Sequence, residues 1–175
     1  MALINTSPFK LEVNKAMRKL AGLPDVVFIG QSVAYDGAAI YTSLEGVSPT
    51  KRLEFPVVEN LQVGYCTGLS LGGKLPICIF PRMDFMLLAL DQIVNHLDKL
   101  PTWGWRPKVI MRCRVGEKKP LNAGPQHTQN HTQAFRQMLT TIQVEEVRIA
   151  EEVEPAYNTA IASRTSTLIV ENPYG

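Results

Sequence analysis

Glu59 stands where an apolar run, Phe55-Pro56-Val57-Val58, gives way to a stretch with helical spacing. A carboxyl at such a junction has two uses. It can sit in the first turn of a helix, where the dipole favours negative charge, or it can hold and exchange a proton at the mouth of a cleft. His127 lies in the long irregular segment that follows the apolar run 108–113. An imidazole there is either solvated or a proton carrier near neutral pH. Residues 82–85 follow a third apolar run, 75–80; Phe85 heads an apolar helical pattern and by type alone is a core residue. His96 falls near the carboxyl end of a helical stretch, a surface or capping position, and His131 falls near a helix start with no evident partner. His127 and His131 are four apart, but no Cys, Asp or Glu lies beside them at ligand spacing, so no metal site is expected.

These residues need elements to position them, and the chain alternates two kinds. Short continuous apolar runs at 25–30, 52–58, 75–80, 108–113 and 167–171, with a weaker one at 142–147, read as strands covered on both faces. Helical patterns lie between them at 8–20, 60–71, 84–100, 131–139 and 155–164. Ser7-Pro8 starts the first, Gly72-Gly73 ends the second, and Asp84 and Pro101 bound the third. The third is apolar over most of its girth, which leaves a face for a partner chain. Strands alternating with helices predict an α/β fold: three layers, a mostly parallel sheet with helices on both faces. In such sheets ligands gather at the carboxyl ends of strands, which is where Glu59, the 82–85 segment and His127 fall.

The bulk properties narrow the function. The chain has 175 residues, 45% hydrophobic and 19% charged, with a formal net charge of +2. That fits a single domain over 1–175, residues 1–24 forming an N-terminal helical extension. The basic pairs Lys51-Arg52 and Lys118-Lys119 read as solvated surface, so nucleic acid is not expected. Cys66, Cys78 and Cys113 sit in apolar runs as buried free thiols of a reducing compartment. No secretory signal and no apolar run of ~20 residues are evident, and the expected location is the cytoplasm. The phosphate loop GxxxxGK[ST], the GxSxG elbow and GxGxxG are all missing, as is Gly-Asp-Gly followed by Asn.

Several blocks, in order and spacing, carry a resemblance: IGQSVAYDGA (29–38), FPVVEN with GYCTGLSLGGKLPICIF (55–80), MDFMLLALDQIVNHLDKL (83–100), VIMRC, AGPQHTQ (123–129) and IVENPYG. The chain resembles the N-terminal, pyrimidine-binding domain of the β subunit of thiamine-diphosphate-dependent 2-oxo acid dehydrogenase E1 components, and more distantly transketolase. The resemblance implies that Glu59 hydrogen-bonds a ring nitrogen of the cofactor's aminopyrimidine and so helps activate the thiazolium carbon. It implies that Phe85 packs on the pyrimidine ring and that His127 orients substrate or moves protons. Val57 and Val58 would desolvate Glu59 and help it hold a proton. Two departures stand out: Gln31-Ser32 replace residues usually acidic, and 116–120 replace a glycine-rich segment.

The expected function is therefore the pyrimidine-binding subunit of a split thiamine-diphosphate enzyme, inactive alone, decarboxylating a 2-oxo acid. The 175 residues show neither a diphosphate-binding nor a C-terminal transketolase-type domain. A partner chain would hold the diphosphate and Mg2+, in an α2β2-type assembly. Alternatives are a non-catalytic interaction or regulatory domain, and transketolase-like two-carbon transfer, for which only His127, Arg82 and Arg112 offer substrate contacts.

Overall fold

The computed structural model describes residues 7–117 and 122–173. The Lys118-Lys119 pair, part of the 116–120 departure and the final Tyr174-Gly175 lie outside the described residues. Among those described, β1 (Val26–Gly30), β2 (Arg52–Glu54), β3 (Leu75–Phe80), β4 (Ile110–Arg114), β5 (Gln143–Val147) and β6 (Thr167–Glu171) form one sheet in the order β2-β1-β3-β4-β6-β5. Every pairing is parallel. The helices are α1 (Pro8–Ala21), α2 (Ala39–Ser43), α3 (Glu59–Leu71), α4 (Thr132–Met138) and α5 (Ala150–Ala162).

Alternation along each strand builds two cores. Cys78 and Phe80 point to one face, with α3, the 83–97 helix and α4. Ile77 and Ile79 point to the other, with α1, α2 and α5. This is the three-layer arrangement that continuous apolar strands require. α1 starts as expected, with Ser7 Oγ accepting from the Lys10 N–H and Pro8 in the first turn. α1 packs along α5 and buries Val13, Ala16, Met17 and Leu20.

Where element bounds differ from the expectation, local hydrogen bonds explain it. β2 ends at Glu54, shorter than expected: Phe55 N–H still reaches the Gly30 carbonyl, and Pro56 has no N–H to continue the ladder. β4 starts at Ile110 because the Lys108 and Val109 N–H groups are taken by Ser70 Oγ and Ser166 Oγ. α5 starts five residues early, at Ala150, where the Glu152 carboxylate accepts from the Arg148 and Ile149 N–H groups. α2 has no apolar period to announce it. The 84–100 helix is split into a 3-10 turn (Met83–Ala89), a π segment (Asp91–Leu97) and a further 3-10 turn (Leu100–Trp103).

The Lys51-Arg52 pair is not solvated surface. Arg52 donates to the Leu44 and Val47 carbonyls at 2.7 and 2.6 Å and lies 5.0 Å over the Tyr41 ring; Lys51 donates to the Leu23 carbonyl. Arg52 fastens the α2 region to the sheet, and Lys51 ties the start of β2 to the turn between α1 and β1. All three cysteines are buried and free. Burial pushes the Cys113 thiol up, and a hydrogen bond with Cys78 together with burial does the same to Cys66. Among the described residues no helix is long and apolar enough to cross a membrane.

Candidate functional site

The crevice follows from chain direction. After β1 the chain crosses one face of the sheet through α2 to reach β2, and after β2 it crosses the other face through α3 to reach β3. β1 and β3 are neighbours, and β3 leaves through the 83–97 helix on the face opposite α2, so the connections from their carboxyl ends diverge and leave a gap beyond the strands. The strands are tight there: a Cβ on Gly30 would lie 2.3 Å from the Ile79 carbonyl oxygen, so only glycine fits.

Glu59 opens α3 on the rim of this gap. It is 4% exposed, although a first-turn glutamate is ordinarily solvated. Its Oε1 accepts from Gln31 Nε2 at 3.0 Å, while Oε2 accepts no hydrogen bond among the described residues. Gln31 leaves the end of β1 and is followed by Ser32, whose φ of 61° is the left-handed value that non-glycine residues seldom adopt. Glu54, at the end of β2, holds that loop: its two oxygens accept from the Ser32 N–H at 2.6 Å and the Ala34 N–H at 2.8 Å. Val57 and Val58 do not desolvate Glu59 within this chain. Pro56 turns the backbone outward, and Val57 is 74% exposed.

Phe85 and His127 meet directly. Their rings are edge-to-face, 5.4 Å between centroids and 83° between planes. This geometry is favoured for aromatic pairs. Two features seat the His127 loop. Asp84, expected as a helix cap, is instead buried beneath the loop, and its Oδ1 accepts from the Gln129 N–H and Nε2, the latter at 2.9 Å. Gly116 passes so close that a Cβ on it would lie 1.8 Å from the His127 carbonyl oxygen. Among the described residues His127 Nδ1 is buried and has no hydrogen-bond partner. The same holds for His131 Nε2, while His131 N–H donates to the Met83 sulfur. His96 is exposed, its Nδ1 beside the Asp91 carbonyl at 3.2 Å.

Arg112 takes no part in this site. It points to the opposite face, where Nε and Nη2 meet both Glu171 oxygens at 2.7 and 3.0 Å, Nη1 meets Ser43 Oγ, and Tyr157 also donates to Glu171. Burial alone would lower the Arg112 pKa, but the Glu171 carboxylate overrides it and raises it. The pair joins β4 to β6, and Tyr157 of α5 and Ser43 of α2 bind to it, so it is a structural staple. Among the described residues no group of three or more His, Cys, Asp and Glu is arranged to hold a metal.

The structure thus joins Phe85 to His127 and Glu59 to Gln31, all at the carboxyl edge of the β1-β3-β4 region. Sequence reasoning did not find Gln31, Glu54, Asp84 or Gly116 as contributors. Gln31 stood out only as a departure, and nothing in the sequence marks a side-chain bond between residues 28 apart.

No protein-family profile matches the chain. It is 26% identical over 168 residues to the mitochondrial pyruvate dehydrogenase E1 component subunit β of Chaetomium thermophilum, covering 91% of this chain and 43% of that protein. It is 29% identical over 153 residues to the corresponding subunit of Rickettsia felis, covering 85% and 47%. The chain therefore spans about half the length of the curated relatives it matches. Among solved structures it resembles a split-gene transketolase described as an inactive β4 tetramer, with TM-score 0.68, 19% identity and coverage of 92% of this chain and 50% of that one. It also resembles transketolase from Campylobacter jejuni subsp. jejuni NCTC 11168, with TM-score 0.76, 14% identity and coverage of 93% and 25%. The resemblance to E1 β subunits holds over most of the chain, and the fold is transketolase-like.

Proposed function

We propose that this chain supplies the aminopyrimidine-binding half of a thiamine-diphosphate site in a split enzyme that decarboxylates a 2-oxo acid. One observation carries the reading: Glu59 is buried at the crevice with Oε1 held by Gln31 and, among the described residues, no hydrogen bond to Oε2. The open Oε2 can take a further hydrogen bond, and a ring nitrogen that shares a proton with it would supply one. The other residues fit the same group. The Phe85 ring offers an aromatic surface braced by His127, and among the described residues His127 Nδ1 is buried without a partner. Val57 is an exposed apolar contact beside Glu59.

When bound, the cofactor supplies a carbon nucleophile and an electron sink. The chain's own residues then divide the remaining work. Glu59 holds a proton against the aminopyrimidine, Phe85 and Val57 limit where the ring can lie, and His127 orients substrate or moves a proton. The diphosphate and Mg2+ would be bound by residues outside these 175, on a partner chain, in an α2β2-type assembly. Exposed apolar side chains on two helices that pack together, Leu61 and Tyr65 on α3 and Leu87 and Leu88 on the 83–97 helix, support such a partner.

The test is reconstitution with a candidate partner carrying Gly-Asp-Gly followed by Asn. The complex is expected to turn over a 2-oxo acid, and Glu59→Gln to lower kcat about 10²- to 10⁴-fold while leaving assembly intact by size-exclusion chromatography. Near-normal turnover by Glu59→Gln would refute its role. Turnover by the chain without a partner would refute the split site. Assembly without turnover on any substrate would favour the non-catalytic interaction domain. Two-carbon transfer is the weaker enzymatic reading, because Arg112 is committed to Glu171 and cannot reach a sugar phosphate.

A further inference from the structure

We infer that Gln31 is a positioning residue for Glu59, aimed by a strained turn at Ser32 that Glu54 clamps. The inference rests on the proposed role of Glu59 and goes further, by naming what holds that carboxyl in place in this chain.

Three observations lead there. First, Gln31 Nε2 donates to Glu59 Oε1 at 3.0 Å. An amide is neutral at every working pH and keeps one donor on the carboxyl whether or not Glu59 holds a proton. It therefore restrains the side chain through Oε1 and leaves Oε2 free of that bond to meet a ligand. An acid at position 31 would behave differently. Two carboxyls that close cannot both ionise readily and would share a proton.

Second, the turn that aims Gln31 is over-determined. Ser32 has φ 61°, and residues in such conformations persist only where their surroundings impose them. The imposing group is Glu54. Its carboxylate accepts from the Ser32 and Ala34 N–H groups at 2.6 and 2.8 Å, charge-assisted bonds of the strong kind. Third, the start of the turn cannot shift toward β3, because Gly30 already lies against the Ile79 carbonyl. Pinned at Gly30 and clamped at Ser32 and Ala34, the Gln31 side chain has one direction left, toward Glu59. Strain held at a ligand crevice and opposed by two charged hydrogen bonds is the pattern of a preorganised site. A loop with no such task would relax.

The experiment has two arms. In the first, the 15N-labelled full chain is studied by NMR, with the Gln31 side-chain amide peaks identified by their absence in Gln31→Leu. Glu59→Ala is expected to move those peaks toward the shifts of exposed glutamines. Peaks that stay in place overturn the inference. In the second, the reconstituted complex carries Gln31→Leu, Glu59→Gln and both together. Gln31→Leu is expected to lower kcat about tenfold, as loss of one hydrogen bond to a charged group allows, and to add nothing once Glu59 is Gln. Additive effects, or no effect of Gln31→Leu beside a large effect of Glu59→Gln, overturn the inference and leave the proposed function standing. Full turnover by Glu59→Gln removes the proposed function, and this inference with it.

Discussion

Glu59 is held through one oxygen, which accepts from Gln31, and among the described residues His127 Nδ1 is buried without a hydrogen-bond partner. The residue that most tightly constrains this geometry carries no side chain. A Cβ on Gly116 would sit 1.8 Å from the His127 carbonyl oxygen and 2.9 Å from its carbon. Backbone atoms of a seated loop cannot yield as a flexible side chain would. Gly116→Ala is therefore expected to cost about 1–3 kcal/mol, measured by urea denaturation, and to break the Phe85–His127 ring contact. An unchanged midpoint would mean that the loop is not seated there.

At the scale of elements, the 83–97 helix links site to core, and its anchor is Asp98. That side chain is fully buried and accepts from the N–H groups of Thr140, Thr141 and Ile142, the hydroxyls of Thr140 and Thr141, and Lys99 Nζ. Burial alone would raise its pKa. The bonds from Lys99, Thr141 and Thr140 outweigh burial and hold it well below the usual carboxylate range. A carboxyl with a depressed folded-state pKa stabilises the fold above its unfolded value, about 4, and the contribution fades as pH falls below that. Asp98→Asn is expected to cost about 2–3 kcal/mol at pH 7. It should also flatten the loss of stability between about pH 4 and pH 2. Denaturation at a series of pH values checks both. Parallel curves for the two proteins would show that Asp98 does not carry the acid sensitivity.

At the scale of the whole molecule, the chain buries its sheet on both faces and still leaves large apolar side chains in water. Leu88 is 64% exposed, and Leu87, Leu61 and Tyr65 accompany it on the same pair of helices. Apolar groups gathered on packed helices suit an interface, and under the proposed function the partner chain would cover them. Leu88→Glu should leave the melting temperature of the chain alone within about 2 °C, since surface changes seldom matter to folding. It should weaken co-purification with the partner at least tenfold, a charge being costly to bury unpaired. Undiminished capture would place the interface elsewhere.

The fold was readable from order alone. Six apolar runs separated by helical patterns imply a parallel sheet covered on both faces, and strand pattern is a local property that survives folding. Glu59, Phe85 and His127 were legible as candidates because strand ends can be located in a sequence and ligands gather there. The contacts between residues far apart in the chain were not legible. Gln31 meets Glu59, Asp84 meets Gln129, and Gly116 meets His127 only because β1, β3 and β4 lie side by side. The direction of a side chain is likewise a tertiary fact. It turned Val57 and Val58 outward after Pro56, committed Arg112 to Glu171 on the far face, and put Asp84 under a loop instead of at a helix cap. Residue type and local spacing therefore determine which groups are available for chemistry. Which of them meet, and which atoms remain open, is settled only when the strands pack.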